Sequence, residues 1–197
     1  MSARIESILV DPYQIISWAW IAIFIIWMAA AVTSKRTVRR APIGFRLAQA
    51  AMGVAAGSLF FGWGQERTPL GYFLIRRSMD SAYVGLTMTL AGLAFTLWAR
   101  FVLGRNWSGT VTVKENHELV RSGPYRLVRH PIYTGFLFAL LGTAIVRGDL
   151  SAFLGFALAT LTLKLKSLTE ESFMTDQFGE QYATYKQGVK ALIPYVW

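Results

Sequence analysis

The chain has 197 residues, 54% of them hydrophobic, a formal net charge of +9 and no cysteine. Without cysteine there is no disulfide, no thiolate nucleophile and no Cys-ligated metal, and two histidines are too few for a His-rich metal site. The mean hydropathy of +0.39 is gathered into long runs almost free of charge, which indicates an integral membrane protein with helical spans of about 20 residues each. The basic residues sit at the ends of those runs rather than along one soluble stripe with interleaved aromatics, so nucleic acid is not an expected partner.

In chain order, the first expected span covers about residues 14–33, with no charge between Asp11 and Lys35. Its apolar core is too long for the h-region of a signal peptide, so it reads as a retained helix. Lys35, Arg36, Arg39 and Arg40 follow at once. A second span over about 45–63 contains Gly53 and Gly57, a GxxxG spacing that puts two glycines on one face and predicts close helix contact. Gly62, Gly64, Pro69 and Gly71 then make a loop. A third span covers about 81–99, with Arg100, Arg105, Asn106 and Trp107 at its exit. Trp107 reads as an interfacial anchor and Asn106 as a helix-end cap. Residues 109–121 alternate weakly through Val111 and Val113 and read as extended or irregular.

Pro131 opens a fourth apolar segment, 131–147, and a tight turn at Arg147-Gly148-Asp149 leads into a fifth, 150–168. These two are expected to form a short helical hairpin. The fifth has no breaker at Leu163, so the helix is expected to run on through Lys166 and Glu170 until Phe178-Gly179. A short amphipathic helix with Tyr182 and Tyr185 then leads to Pro194. The expected fold is therefore an all-α integral membrane protein of five transmembrane helices in a single membrane domain, 1–197. Lys and Arg are dense after spans one and three and sparse after span two and in the hairpin turn, which places the N-terminus outside and the C-terminus in the cytosol. Residues 104–130 and 166–197 would then form a cytosolic part, from the loop before span four and the C-terminal helix.

The stretch from His117 to Gly135 carries far more hydrogen-bonding and backbone-fixing residues than a connector requires. Lys166 and Glu170, four apart on one helix face, meet it at the membrane–water boundary. Each residue has a plainer reading: an exposed ion pair for Lys166 and Glu170, a helix entry for His130-Pro131, headgroup anchors for Arg126 and Arg129, interfacial belt residues for Tyr125 and Tyr133. Their convergence on one side, with Gly123 and Gly135 allowing close approach, makes a polar site the better reading. Adjacent Glu170 and Glu171 near cationic ligands suit an amine or a sulfonium. There is no dinucleotide fingerprint, Walker A motif or H-E-x-x-H zinc motif, and no metal site is expected.

Ser122-Gly-Pro-Tyr125 followed by Arg129-His-Pro-Ile-Tyr133-Thr-Gly135 resembles the signature of isoprenylcysteine carboxyl methyltransferases and the related phospholipid methyltransferases. Glu170-Glu171, Phe178-Gly-Glu-Gln-Tyr182, Tyr185 and Leu192-Ile-Pro194 agree with it, so the likeness spans about residues 97–195. The resemblance implies S-adenosylmethionine as methyl donor, bound without a Rossmann fold. By position it assigns His117, Glu118, Leu119, Val120, Tyr125, Arg129, His130, Pro131, Ile132, Tyr133 and Glu170 to the donor. It also implies Lys166, Glu170 and Glu171 as catalytic residues, Lys166 standing where the family usually has an Arg that contacts the acceptor carboxylate. A lipophilic acceptor at the membrane follows: a prenylcysteine carboxyl, with a phospholipid amine or small thiol as alternatives. An NADPH-dependent sterol-type reductase and a non-catalytic membrane protein are the competing classes.

Overall fold

The computed structural model describes residues 11–32, 37–62, 67–107, 112–114 and 118–194. Lys35, Arg36 and His117 lie outside the described residues, as do Thr33 and Trp63 at the ends of the first two expected spans. Six α-helices make up the bulk: α1 (Pro12–Ala31), α2 (Ile43–Phe61), α3 (Met79–Leu103), α4 (Pro131–Arg147), α5 (Leu150–Phe178) and α6 (Glu180–Gly188). All five expected spans have a helical counterpart. α3 is longer than its expected span because Ser78 and Ser81 form a reciprocal capping box at its start and Gly104 ends it.

Among the described residues, four helical stretches are long and apolar enough to cross a membrane: Pro12–Ala31, Ile43–Phe61, Met79–Asn106 and Leu150–Phe178. α4, with 17 residues, is shorter. Large side chains on their outer faces stand open, among them Trp18, Phe24, Ile25 and Val54, each at least 60% exposed. In water such a surface would be an aggregation hazard; in lipid it is the solvent-facing side. The chain is a multi-pass membrane protein.

The expectation of an all-helical protein needs one amendment. β1 (Thr37–Arg40) pairs antiparallel with β2 (Thr112–Lys114), Arg40 opposite Thr112. The extended character of 109–121 is thus partly strand. Its partner falls in the basic run after span one, where charge hides any alternation.

α3 and α4 form the tightest contact, through glycine and threonine. A Cβ added at Gly92 would lie 2.5 Å from Ala139 N and 2.6 Å from Gly135 O, and one at Gly142 would lie 2.5 Å from Gly85 O. Only glycine allows the two backbones this close. Thr89 Oγ1 donates to Gly85 O at 2.8 Å and stands 3.3 Å from Thr143 Oγ1, which accepts from Trp20 Nε1 at 3.0 Å and ties α1 to the pair. The expected contact at Gly53 and Gly57 does not form: nothing lies within 4 Å of a Cβ at either. In α2 that spacing faces a groove; the close-packing glycines lie in α3 and α4, with Gly155 of α5 against Phe60, and no two of them are four apart.

Gly148, in the left-handed region at φ 73°, ends α4. Asp149 caps α5 by accepting from Ala152 N at 2.9 Å and Ser151 Oγ at 2.6 Å. The hairpin forms as expected, and α5 runs unbroken for 29 residues to Phe178, about 43 Å at 1.5 Å per residue. That overhang carries Glu170 and Glu171 past the apolar part of the bundle.

Candidate active site

The loop before α4 is fixed from both sides. Residues 123–126 coil into a short 3-10 turn, begun by Gly123 at φ 57°. The C-terminal strap runs alongside: Arg129 N donates to Lys190 O at 2.8 Å, His130 N to Ala191 O at 3.0 Å, and Thr134 Oγ1 to Leu192 O at 2.7 Å. Leu192 is buried beneath, packed in one apolar cluster with Ala99, Tyr125, Ile132 and Tyr133. Pro131 then starts α4 with the φ that its ring imposes and no N–H to satisfy. His130 is thereby held at the helix mouth.

Around His130 the charges interlock. Its Nε2 stands 3.3 Å from Glu171 Oε1 and its Nδ1 3.5 Å from Glu170 Oε2. An imidazole can donate from both nitrogens only as the cation. Burial alone would push the His130 pKa down; hydrogen bonds and charge from Glu170 and Glu171 outweigh it and hold the pKa above its ordinary value. Tyr133 stacks on the imidazole, ring centroids 5.5 Å apart and nearly parallel, and donates to Glu170 Oε1 at 2.5 Å. Lys166 Nζ lies 5.4 Å from the centre of the Tyr133 ring.

Glu171 is committed elsewhere. Its carboxylate accepts from Arg129 Nε at 2.9 Å and pairs with Lys186 Nζ at 3.1 Å. Arg129 also donates to Val189 O and to Lys186 O. This knot fastens α6 and the strap to α5 and the loop.

Between these elements lies a cavity. Of the residues expected at the donor site, Glu118, Leu119, Val120, Tyr125, Arg129, His130, Ile132, Tyr133 and Glu170 line it. Pro131 is buried behind, and Lys166 and Glu171 stand outside its wall. Leu103, Asn106, Trp107, Met174, Tyr182 and Tyr185 line it as well. Asn106 and Trp107, expected as cap and anchor, are wall residues because Arg100 turns the chain there. Its guanidinium donates to Ala30 O and Gly104 O at 2.7 Å each and lies 4.6 Å from the Trp107 ring centre. Met174 sits one helical turn beyond Glu170, and that i+4 spacing was the available signal. Tyr185 donates to Tyr125 O at 2.5 Å, and burial raises its pKa to about 12. Burial, with the Glu170 charge behind it, also drives the Tyr125 pKa up. Both phenols are therefore neutral donors at physiological pH.

The wall offers two carboxylates, Glu118 and Glu170, among aromatic faces. Carboxylate and aromatic faces together suit an organic cation. Asn106 Oδ1 adds an acceptor that is buried and has no hydrogen-bond partner among the described residues. A buried acceptor left open is satisfied by a ligand N–H or O–H. Leu103, Leu119 and Val120 give the cavity an apolar side. No group of three or more His, Asp or Glu among the described residues is placed to hold a metal ion.

Helices that fit a membrane, with an aromatic- and carboxylate-lined cavity at their end, define an integral membrane protein with a candidate ligand site at the bundle mouth. Residues 81–181 match the family model described as phospholipid methyltransferase, and the chain belongs to that family. Among curated relatives, a probable protein-S-isoprenylcysteine O-methyltransferase of Oryza sativa subsp. indica is 31% identical over 118 residues, 58% of this chain and 62% of the relative. The Schizosaccharomyces pombe protein-S-isoprenylcysteine O-methyltransferase is 35% identical over 96 residues, 47% of this chain and 41% of its own. The Homo sapiens protein of that name is 30% identical over 115 residues, 57% and 40% respectively. The matches thus span roughly two-fifths to three-fifths of those relatives. A solved eukaryotic intramembrane Ras methyltransferase, isoprenylcysteine carboxyl methyltransferase, shares the fold with a TM-score of 0.60 at 22% identity, over 96% of this chain and 69% of that one.

Proposed function

We propose that this chain is a membrane methyltransferase that moves a methyl group from S-adenosylmethionine to a lipophilic acceptor, and that the acceptor is a prenylcysteine carboxylate. The observation that carries this reading is Glu170: a carboxylate aimed by Tyr133 and His130 into an aromatic-lined cavity, within the segment that matches the family. When bound, the cofactor supplies a methyl group already activated on a sulfonium. Glu118, Leu119, Val120, Tyr125, His130, Ile132, Tyr133 and Glu170 would hold it, with Asn106 Oδ1 accepting one of its donors and His117 added by the family pattern. Glu170 opposes the positive charge, the aromatic faces surround it, and Leu103, Leu119 and Val120 keep water from it. Arg129 and Glu171 act as positioning residues through His130 and the strap.

The choice of acceptor follows from what the site lacks. An amine or thiol must lose a proton, and of the groups able to take one, Glu118, His130, Glu170 and Glu171, the last three are tied into the network around His130. His130 is held as the cation between two carboxylates, and Glu171 is bound to Arg129, His130 and Lys186. A carboxylate acceptor is already ionised at neutral pH and requires no base. Lys166, beside Tyr133, provides the positive charge to draw it in, without the planar fork an Arg would offer. On this reading five helices cross the bilayer, the N-terminus lies outside, and residues 104–130 and 166–197 form the cytosolic catalytic part of a single membrane domain. The lipid tail of the acceptor stays in the membrane while its head meets a cytosolic donor.

The test is calorimetric titration of the detergent-purified chain with S-adenosylhomocysteine and with NADPH, then labelled methyl transfer to prenylcysteine, phosphatidylethanolamine and an alkyl thiol. S-adenosylhomocysteine is expected to bind; His130→Ala and Glu170→Ala should abolish that, and Tyr133→Phe should weaken it about tenfold. Lys166→Ala should raise the KM for prenylcysteine and leave donor affinity unchanged. Binding of NADPH alone would mark a reductase, and binding of neither a non-catalytic protein. Transfer to the amine or thiol in preference to the carboxylate would overturn the acceptor.

A further inference from the structure

The opposite end of α4 carries a second polar feature. Arg147 is the last residue of the 17-residue α4 that Pro131 begins, about 24 Å away along the helix axis. There a cavity of about 610 Å³ opens between α1, α2 and α4, polar at Tyr13, Ser17, Arg77 and Arg147 and apolar at Ile16 and Phe61.

The two arginines are not equivalent. Arg147 is matched: Nη2 stands 2.8 Å and Nε 3.0 Å from Asp149 Oδ2, and Nη1 donates to Phe60 O. Arg77 has no carboxylate partner among the described residues. Its Nε donates to Arg147 O at 3.1 Å, and its guanidinium lies 4.7 Å from the Phe73 ring centre and 5.6 Å from that of Tyr13. Those contacts fix the plane of the group while Nη1 and Nη2 make no hydrogen bond among the described residues. The acids next in sequence to Tyr13 and Arg77 are Asp11 and Asp80; Glu66, near the Phe61 arm, lies outside the described residues. Asp11 accepts from Tyr13 N to cap α1, and Asp80 makes no ion pair with Arg77 among the described residues. One pre-oriented guanidinium, with no carboxylate partner among the described residues, therefore faces a cavity at a membrane-spanning bundle's end.

A fixed planar fork with two open N–H edges matches the oxygens of one phosphate. The apolar flank decides between a soluble phosphate and a lipid. Phe61 is 54% exposed beside Trp20, and Tyr72, Phe73 and Leu74 stand open next to Arg77. An inorganic anion would gain nothing from that wall, whereas a glycerophospholipid presents a monoanionic phosphate with acyl chains attached. We propose that this cavity seats the phosphate of a glycerophospholipid, held by Arg77, with an acyl chain along Phe61. The lipid would bridge α1, α2 and α4 and brace the bundle at the end away from Glu170, independent of what that site binds.

The experiment is native mass spectrometry and thermal denaturation of the full chain in detergent, titrated with dioleoylphosphatidylglycerol, dioleoylglycerol or inorganic phosphate. The expected result is retained, stabilising phosphatidylglycerol and neither effect from the other two. Arg77→Gln should weaken phosphatidylglycerol about tenfold, Arg77→Lys should weaken it less, and Arg76→Gln should change nothing. Should Arg77→Gln fail to fold, Arg77→Lys against Arg76→Gln decides. Equal stabilisation by dioleoylglycerol would show that acyl chains alone are bound, and equal stabilisation by inorganic phosphate that the ligand is not a lipid. Either result, or unchanged affinity in the Arg77 variants, overturns the proposal.

Discussion

His130 is a proton-holding residue rather than a proton-taking one, and that has a measurable sign. Its pKa is raised in the folded chain, because Glu170 and Glu171 together outweigh the burial that opposes the cation. A raised pKa means the folded state binds the proton more tightly than the unfolded one. The stabilisation is fully present below the unfolded value of about 6.5 and is lost as pH rises through the elevated folded value. The melting temperature of wild type relative to His130→Gln is therefore expected to be greatest in mildly acidic buffer and to narrow as the pH is raised above neutrality. A gap that is constant with pH would mean that the imidazole is neutral throughout.

At the scale of helices, the backbone contact between α3 and α4 sets how finely the loop before α4 is placed. Gly135 lies one turn into α4 from the stacked His130 and Tyr133, and a Cβ there would meet Gly92 O at 2.7 Å and Thr96 N at 2.8 Å. Gly135→Leu should force the helices apart, destabilise the protein by about 3 kcal/mol and shift His130 and Tyr133 together. Gly53→Leu, where the space is open, should be tolerated; similar losses of melting temperature in both would contradict the packing. These glycines also show what sequence could and could not tell. The helices were legible because an apolar run of span length has few alternatives in a membrane, and α5 was legible past Leu163 because nothing there breaks a helix. The motif residues Glu118 to Tyr133 and Glu170 were legible as one site because they ring a common end. The GxxxG spacing misled because it records which glycines share a face, not which face meets a neighbour. β1 escaped because its pairing partner lies about seventy residues away, and Trp107 because its role depends on Arg100 reaching back to Ala30.

For the molecule as a whole, the governing quantity is the length of α4 against its surroundings. On the proposed topology this helix crosses a hydrocarbon layer about 30 Å thick with only 17 residues, about 25 Å of rise. Both of its ends are fastened to charge, His130 with Glu170 and Glu171 at one and Arg147 with Asp149 at the other. Neither end can drift into oil, so the bilayer must thin around it. Vesicles of short-chain lipid should then give the highest melting temperature, with a decline as the acyl chains lengthen; a flat response would show that α4 does not span alone. The protein is in this sense a caliper, closed on a thin patch of membrane. Where that patch forms, the water boundary would dip toward the mouth of the site, and on the proposed function a lipid-borne head group would meet a water-borne donor without leaving its leaflet.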